Sequence, residues 1–309
     1  MNEHFFDSPV ANILVREIDN DQFESVLKRI CITLNRDVNF GTHAMDSAFA
    51  ASGLKLQHVI ALGIFRSSLA NHDAISSLIA NAIDTASLPL VRTSFELCLF
   101  MSYLTEKDSE RRAILYFMDD MISELDSCKR TVELYENLDS ITEDYAKQAI
   151  VDNVELAKAG IEELEKQLQE GRYSSHYDEY HRTKKDRHIR FPSWYNLYDG
   201  PRSLKALSEH FELKHFYTEV YGLKSRIAHG KSSHKAFSTL DGQLVMKRLR
   251  VGSDILFPVT VARTMFNMIA GRFVEFVIPS FQEKYHEWRL VSHEEADWIA
   301  SLEFVDTNA

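Results

Sequence analysis

TEDYAKQAIVDNVELAKAGIEELEKQLQ, residues 142–169, carries the most regular apolar spacing in the chain. Ala146, Ile150, Val154, Ala157, Ile161, Leu164 and Leu168 follow one another by four, four, three, four, three and four residues. Steps of three and four put all seven side chains on one stripe of an α-helix and leave Glu and Lys on the remaining surface. A narrow stripe of this kind buries itself against one neighbouring helix, as in an antiparallel arm or a coiled-coil seam. Residues 139–171 are therefore expected to form a helical arm, with Gly171 as its stop.

Outward from the arm the same period recurs. Phe23, Val26, Leu27, Ile30 and Leu34 predict a core helix over 21–34, and Leu54, Leu56, Val59, Ile60, Leu62 and Phe65 another over 54–69. Asn71-His72-Asp73 offers capping side chains and reads as the start of a further segment running toward Leu90. Residues 90–101 are apolar on nearly every side except at Arg92 and Glu96, and 108–135 are amphipathic. Short and longer helices are predicted over Ser203–His210 and His215–Ala228, while Gln243–Arg248 reads equally as a strand or a ragged helix start. A buried helix follows from Asp254 to Phe276, with Pro258 in its first turn and Pro279 beyond its end. Ser292-His293-Glu294-Glu295 has capping-box spacing and predicts the start of a terminal helix. The expected fold is all-α: an irregular helical bundle with a long helical-arm elaboration and room for one short strand pair. It is read as a single domain, 1–309, holding the arm at 139–171 and a basic, aromatic connection at 172–200.

Composition narrows the function classes. The 309 residues hold 35 Lys+Arg against 46 Asp+Glu, a net charge of −11, which disfavours non-specific coating of nucleic acid. At 45% hydrophobic and 26% charged, with 11 Gly and 6 Pro, the chain is neither disordered nor collagenous. Cys31, Cys98 and Cys128 stand far apart inside apolar segments, which points to a reducing cytoplasm and away from a cysteine metal framework. The first residues lack a basic, then apolar, leader pattern, and no run of 18 apolar residues occurs, so no membrane contact is expected. Glycine-rich nucleotide loops, a Walker loop, a nucleophile elbow, a calcium loop and a paired-histidine zinc helix are absent from the sequence, and neither metal nor cofactor is expected.

Three constellations remain. Arg92 and Glu96 are four residues apart on one helix and predict either a structural ion pair or the wall of a polar pocket. Tyr221, Ser225 and His229 continue one helical face, with Arg226 and Lys231 beside it and Gly230 at its end. An imidazole at a helix terminus next to arginine suits an anionic ligand or proton transfer, and suits equally a simple cap with surface cations. The run 181–190 contains Arg182, Lys184, Lys185, Arg187 and Arg190, with Trp194 and several Tyr close by. Cations interleaved with aromatics are what single-stranded nucleic acid requires, and also what a solvated loop or one docked on an acidic arm displays.

Leu90-Val91-Arg92-Thr93-Ser94-Phe95-Glu96, Tyr103-Leu104, Pro192-Ser193-Trp194, Leu204 with Leu207, and Tyr221-x3-Ser225-x3-His229-Gly230 together resemble a bacterial family known as domain of unknown function five-six-seven-seven. The likeness spans roughly residues 50–275. It implies a helical bundle and points to Arg92, Glu96, Tyr221, Ser225 and His229. A more distant similarity is to the HEPN superfamily of helical domains, some of them metal-independent ribonucleases of toxin and antiphage systems. That resemblance implies a homodimer and, were RNA cut, proton transfer by His229 with Arg226 or Arg92 on the phosphorane. Its members space Arg and His four to six residues apart; Arg182 and His188 fit this spacing, whereas Arg226 and His229 have only two residues between them. The leading expectation is a regulatory or defence-associated binding module with a protein partner on the arm. The alternatives are a HEPN-like ribonuclease acting on RNA and an enzyme of small molecules.

Overall fold

The computed structural model describes residues 21–83, 85–135, 144–223, 237–240, 243–246 and 255–302. The fold is all-α. Its helices are α1 (Asp21–Ala50), α2 (Leu56–Ala80), α3 (Leu88–Glu106), α4 (Ser109–Tyr135), α5 (Asp144–Gln169), α6 (Ser174–Asp186), α7 (Leu204–His210), α8 (Lys214–Tyr217), α9 (Leu256–Val277) and α10 (Gln282–Ala300). A π-helical turn, Thr218–Leu223, continues α8. Strands β1 (Phe237–Leu240) and β2 (Gln243–Met246) form an antiparallel pair with Phe237 opposite Met246 and Leu240 opposite Gln243. The expected strand pair is thus present. Among the described residues no helix is long and apolar enough to cross a membrane.

Two compact units divide the chain. The first comprises residues 1–51, 65–98 and 215–309; the second comprises 52–64 and 99–214. The first unit is built on α1, α9 and α10, each packed on the other two. Its core stacks Phe65 on Phe273 at 4.1 Å and Phe40 on Trp288 at 4.2 Å. On α1 the buried side is Leu27, Ile30, Leu34, Asp37, Gly41, Ala44 and Ala48, spaced by three and four throughout. A larger residue at Gly41 would force its neighbours to move, because a Cβ there would lie 2.6 Å from the Leu69 side chain and 3.0 Å from Phe266.

Asp37 occupies a core position of that stripe, inside a polar network that draws on three further helices. Arg263 of α9 donates from Nε to its Oδ2 at 3.0 Å, and His72 of α2 places Nε2 at 3.4 Å from the same oxygen. The Arg263 Nη2 reaches on to the Ser292 hydroxyl at 2.9 Å and to Glu295 at 3.2 Å, both on α10. Asp37, His72, Arg263 and Ser292 are all less than 5% exposed. Three sequence expectations fall to this one network. The α1 pattern does not stop at Leu34, since Asp37 is a buried continuation of it. Asn71-His72-Asp73 does not start a helix, since α2 runs unbroken from 56 to 80 and His72 points into the core. Ser292 does not cap a terminal helix either; it lies inside α10 as a buried acceptor.

In the second unit α4 and α5 pack along their length. The eight residues 136–143 between them span at most about 30 Å, shorter than the roughly 39 Å of α5, so the two run antiparallel as the expected hairpin arm. Gly160 lets α5 approach Cys128, whose Sγ would stand 3.3 Å from a Cβ there, and Lys129 pairs with Glu165 at 2.6 Å. Gly171 takes φ +58° just beyond α5, which is the stop the sequence predicted. Residues 172–200, expected as a connection, contain α6, because Glu179 is buried and fastened. Its carboxylate accepts from the Thr183 hydroxyl at 3.0 Å and from the Tyr198 amide at 2.9 Å. The rest wraps Trp194, whose indole is 3% exposed and packed against Phe100, Tyr103 and Tyr116 at 5.2–5.8 Å.

Two measurements test these cores. Arg263→Met leaves the Asp37 carboxylate buried without its main donor and is expected to cost about 3–5 kcal/mol in urea unfolding, while adding Asp37→Leu recovers a large part of the loss. Asp119 of α4 accepts a hydrogen bond from the Trp194 backbone amide, yet burial pushes its carboxyl up to about 6, with Asp120 adding to the rise. The folded chain then holds this proton more tightly than the unfolded chain, where Asp titrates near ~3.9. The ionised form costs stability above about pH 6, and the cost fades as pH falls toward ~4. Asp119→Asn should stabilise by about 1–2 kcal/mol near pH ~7.5 and by almost nothing near pH ~4, read as the urea midpoint at each pH.

Candidate functional site

Arg92 and Glu96 lie one turn apart on α3, and the structure pairs them: Arg92 Nε donates to Glu96 Oε1 at 3.0 Å. Tyr221 enters from the π-helical turn after α8 and donates its hydroxyl to the same carboxylate oxygen. Single π-helical turns re-aim side chains that a regular helix would place elsewhere. The guanidinium of Arg92 lies 4.2 Å above the Tyr221 ring, Tyr217 stacks on that ring at 4.7 Å, and Phe95 meets it edge-on. Sequence spacing selected Arg92, Glu96 and Tyr221, and the structure brings all three together. The corner is open to solvent, with the Arg92 and Glu96 side chains 37% and 28% exposed.

Electrostatics set the protonation of this corner. Burial, followed by the Glu96 carboxylate, raises the Tyr221 phenol above its ordinary range, so it remains a neutral donor. Partial burial opposes the charge on Arg92, but hydrogen bonding to Tyr221 and Glu96 outweighs it and raises the guanidinium. Glu96 is thus held by two donors on one oxygen. The arrangement is an anion with a cation and a phenol fixed on one of its oxygens, which orients the group and leaves Oε2 uncommitted. Ser225, Arg226 and His229 lie outside the described residues. No group of three or more His, Cys, Asp or Glu among the described residues is arranged to hold a metal ion.

The basic run divides by role. Arg182, Lys184 and Lys185 stand on the exposed side of α6, and Arg190 is exposed beside Phe191. Arg182 is also tied to Glu179 at 2.6 Å, although its side chain stays 59% exposed. Arg187 is turned inward: its Nη1 donates to the Asn196 carbonyl at 2.6 Å and to the Gly200 carbonyl at 3.0 Å. With Trp194 buried in the aromatic cluster, Arg187 and Trp194 hold the chain between α6 and α7 in place, and the solvent-facing cations are Arg182, Lys184, Lys185 and Arg190.

Sequence reasoning missed a second polar cluster. Glu106, at the end of α3, receives Arg112 of α4 on Oε2, with both terminal nitrogens at 3.1 Å, and His210 of α7 on Oε1 at 2.7 Å. Arg112 is 4% exposed, donates to the Tyr103 carbonyl, and lies 3.6 Å over the Tyr103 ring. Burial alone would raise the Glu106 carboxyl, but hydrogen bonds from His210 and Arg112 lower it, so it stays ionised. No local pattern marks these residues, since Glu106 and His210 are 104 positions apart.

The family described as Family of unknown function (DUF5677) matches residues 58–243, more than half of the chain. The matched stretch contains Arg92, Glu96 and Tyr221 as well as Glu106, Arg112 and His210, and ends before α9. No curated protein and no solved structure matches.

Tyr221→Phe removes one donor from Glu96 while keeping the ring that stacks on Tyr217. It is expected to cost about 1–2 kcal/mol in chemical unfolding, with Tyr221→Ala costing more because the stack and the cation contact go too.

Proposed function

The chain belongs to the Family of unknown function (DUF5677), and within it we propose that this protein is a noncatalytic regulatory binding module that takes hold of a protein partner through the α4–α5 arm. The observation that carries the reading is apolar exposure on the hairpin: Leu134 is 60%, Val151 48% and Leu156 73% exposed. Val151 and Leu156 flank the seam formed by Ile150, Val154, Ala157 and Ile161, one on either side of it. Large apolar side chains in such positions add nothing to the hairpin itself and are the usual anchors of a protein interface.

Charge selects the partner. Residues 144–169 hold six Asp or Glu against three Lys, so a second copy of the arm meets its own repulsion and a cationic partner meets attraction. The Glu96 corner is compatible with a binding role, because one oxygen of its carboxylate is already committed to Arg92 and Tyr221. The competing ribonuclease reading rests on Arg226 and His229, with the exposed cations of α6 to hold RNA.

The test substitutes Leu134, Val151 and Leu156 together with Glu. Affinity isolation from the native host, with cross-links mapped to the arm, is expected to recover a basic protein with the wild type and to lose it with the triple variant and at high salt. Recovery of the same protein by the triple variant sinks the proposal. A wild-type homodimer in light scattering that becomes monomeric in the triple variant replaces the partner by a second copy. RNA cleavage in EDTA that disappears in His229→Ala replaces binding by catalysis.

A further inference from the structure

We infer that the second unit carries a binding site for a small molecule bearing a phosphate group, in the cavity between the α3–α4 turn, the residues 197–201 and α7. The cavity holds about 430 Å³ and is lined by Glu106, Lys107, Arg111, Arg112, Tyr198 and His210, among others. That volume lies within the range of small-ligand sites.

The sign of the ligand follows from which charges are already spent. The wall contains three carboxylates, at Glu106, Asp108 and Asp199. Glu106 is engaged on both oxygens by Arg112 and His210. Asp108 accepts from Arg111 Nη2 at 2.6 Å, and Asp199 lies in the field of Arg182. The Gly200 carbonyl is taken by Arg187. Apart from one oxygen of Asp108 and the exposed Asp199 carboxylate, what remains unspent is donors. Lys107 is exposed and has no ion-pair or hydrogen-bond partner among the described residues. Arg111 uses one terminal nitrogen on Asp108 and keeps the rest of its guanidinium, which lies 4.9 Å over the Tyr198 ring. His210 places Nε2 on Glu106 and leaves Nδ1 uncommitted, a donor on the imidazolium and an acceptor on the neutral ring, with its side chain 40% exposed. Arg112, buried in the same wall, has an Nε without a partner. Lys107 and Arg111 together carry more uncommitted N–H donors than the free oxygens of Asp108 and Asp199 can take up, and a phosphate ester, with several acceptor oxygens, suits such a pair better than a single carboxylate.

The backbone agrees. Asp108, Tyr198 and Asp199 line the cavity at φ +48°, +51° and +62°, a conformation that costs non-glycine residues free energy. Glu106, fixed by buried Arg112, holds the imidazole of His210 in one orientation, so that Nδ1 is presented rather than free to rotate. This site is distinct from the arm, and neither proposal depends on the other.

Titration calorimetry and thermal shift at low ionic strength, with adenosine monophosphate, inorganic phosphate and adenosine as probes, test the site on the full chain. Adenosine monophosphate and phosphate are expected to bind and raise Tm, and adenosine is expected to do neither. Lys107→Ala, which removes a side chain without contacts, should weaken binding about tenfold while leaving the ligand-free Tm unchanged. His210→Asn should weaken it at least as much. Failure of both phosphate-bearing probes at millimolar concentration overturns the inference. So does binding that both variants leave intact, which would place the anion elsewhere, and so does equal binding of adenosine. If His210→Asn does not fold, Lys107→Ala with Arg111→Gln decides the matter alone.

Discussion

A carboxylate without water governs the first unit. Asp37 sits where the helical stripe of α1 calls for an apolar residue, and an isolated buried charge there would cost more than a small core returns. Arg263 of α9 donates to it, His72 of α2 lies beside it, and Ser292 and Glu295 of α10 hold the other end of the Arg263 guanidinium. The geometry of the unit follows from that need. The Phe40–Trp288 stack and the close approach at Gly41 favour one register of α9 and α10 on α1, and a guanidinium that must meet Asp37 at one end and Ser292 and Glu295 at the other fixes the same one. The balance is incomplete, since Asp37 Oδ1, His72 Nε2 and Arg263 Nη1 have no hydrogen-bond partner among the described residues. Such a network contributes specificity more than stability.

The second unit uses arginine the same way in another setting. Arg112 ties the end of α3 to the start of α4 through Glu106 and the Tyr103 carbonyl, and Arg187 clasps the carbonyls of Asn196 and Gly200 beneath the buried Trp194. Both guanidiniums satisfy main-chain acceptors that a short, irregular connection would otherwise leave bare. These fixed residues surround the cavity whose remaining donors are unspent. Rigid support beneath a few uncommitted polar groups is what a ligand site requires, because ordering those groups then costs little on binding.

The two polar corners invite different chemistry although each centres on a glutamate. Glu96 has both donors on one oxygen, one of them a phenol held neutral, so that oxygen is committed while the corner stays open to solvent. Glu106 is lowered by its partners and passes its orientation to an imidazole with a second nitrogen still available. Only the first was legible from spacing. Arg92 and Glu96 are neighbours on one helix, so an i,i+4 rule finds them, and Tyr221 belongs to a recurring polar face. Glu106, Arg112 and His210 come from three helices, and no periodicity links them.

Helix after helix, the sequence by itself determined the elements: the arm through its three-and-four stripe, the stop at Gly171 through the need for a left-handed residue, and α9 between Pro258 and Pro279. Those features are local, and a pattern of apolar spacing or a backbone restriction is complete within a dozen residues. The tertiary structure decided where polar residues inside helices belong. His72 and Ser292 read as helix starts, and Asp37 goes unread beyond Leu34, because a polar side chain in a core stripe makes no sense until its partner is known. The same holds for Glu179, which turned an apparent connection into α6, and for Trp194, which left a nucleic-acid surface for a core. A hydrogen bond between residues separated by a hundred or more positions leaves no trace in either neighbourhood, and that is where this protein keeps both its register and its second site.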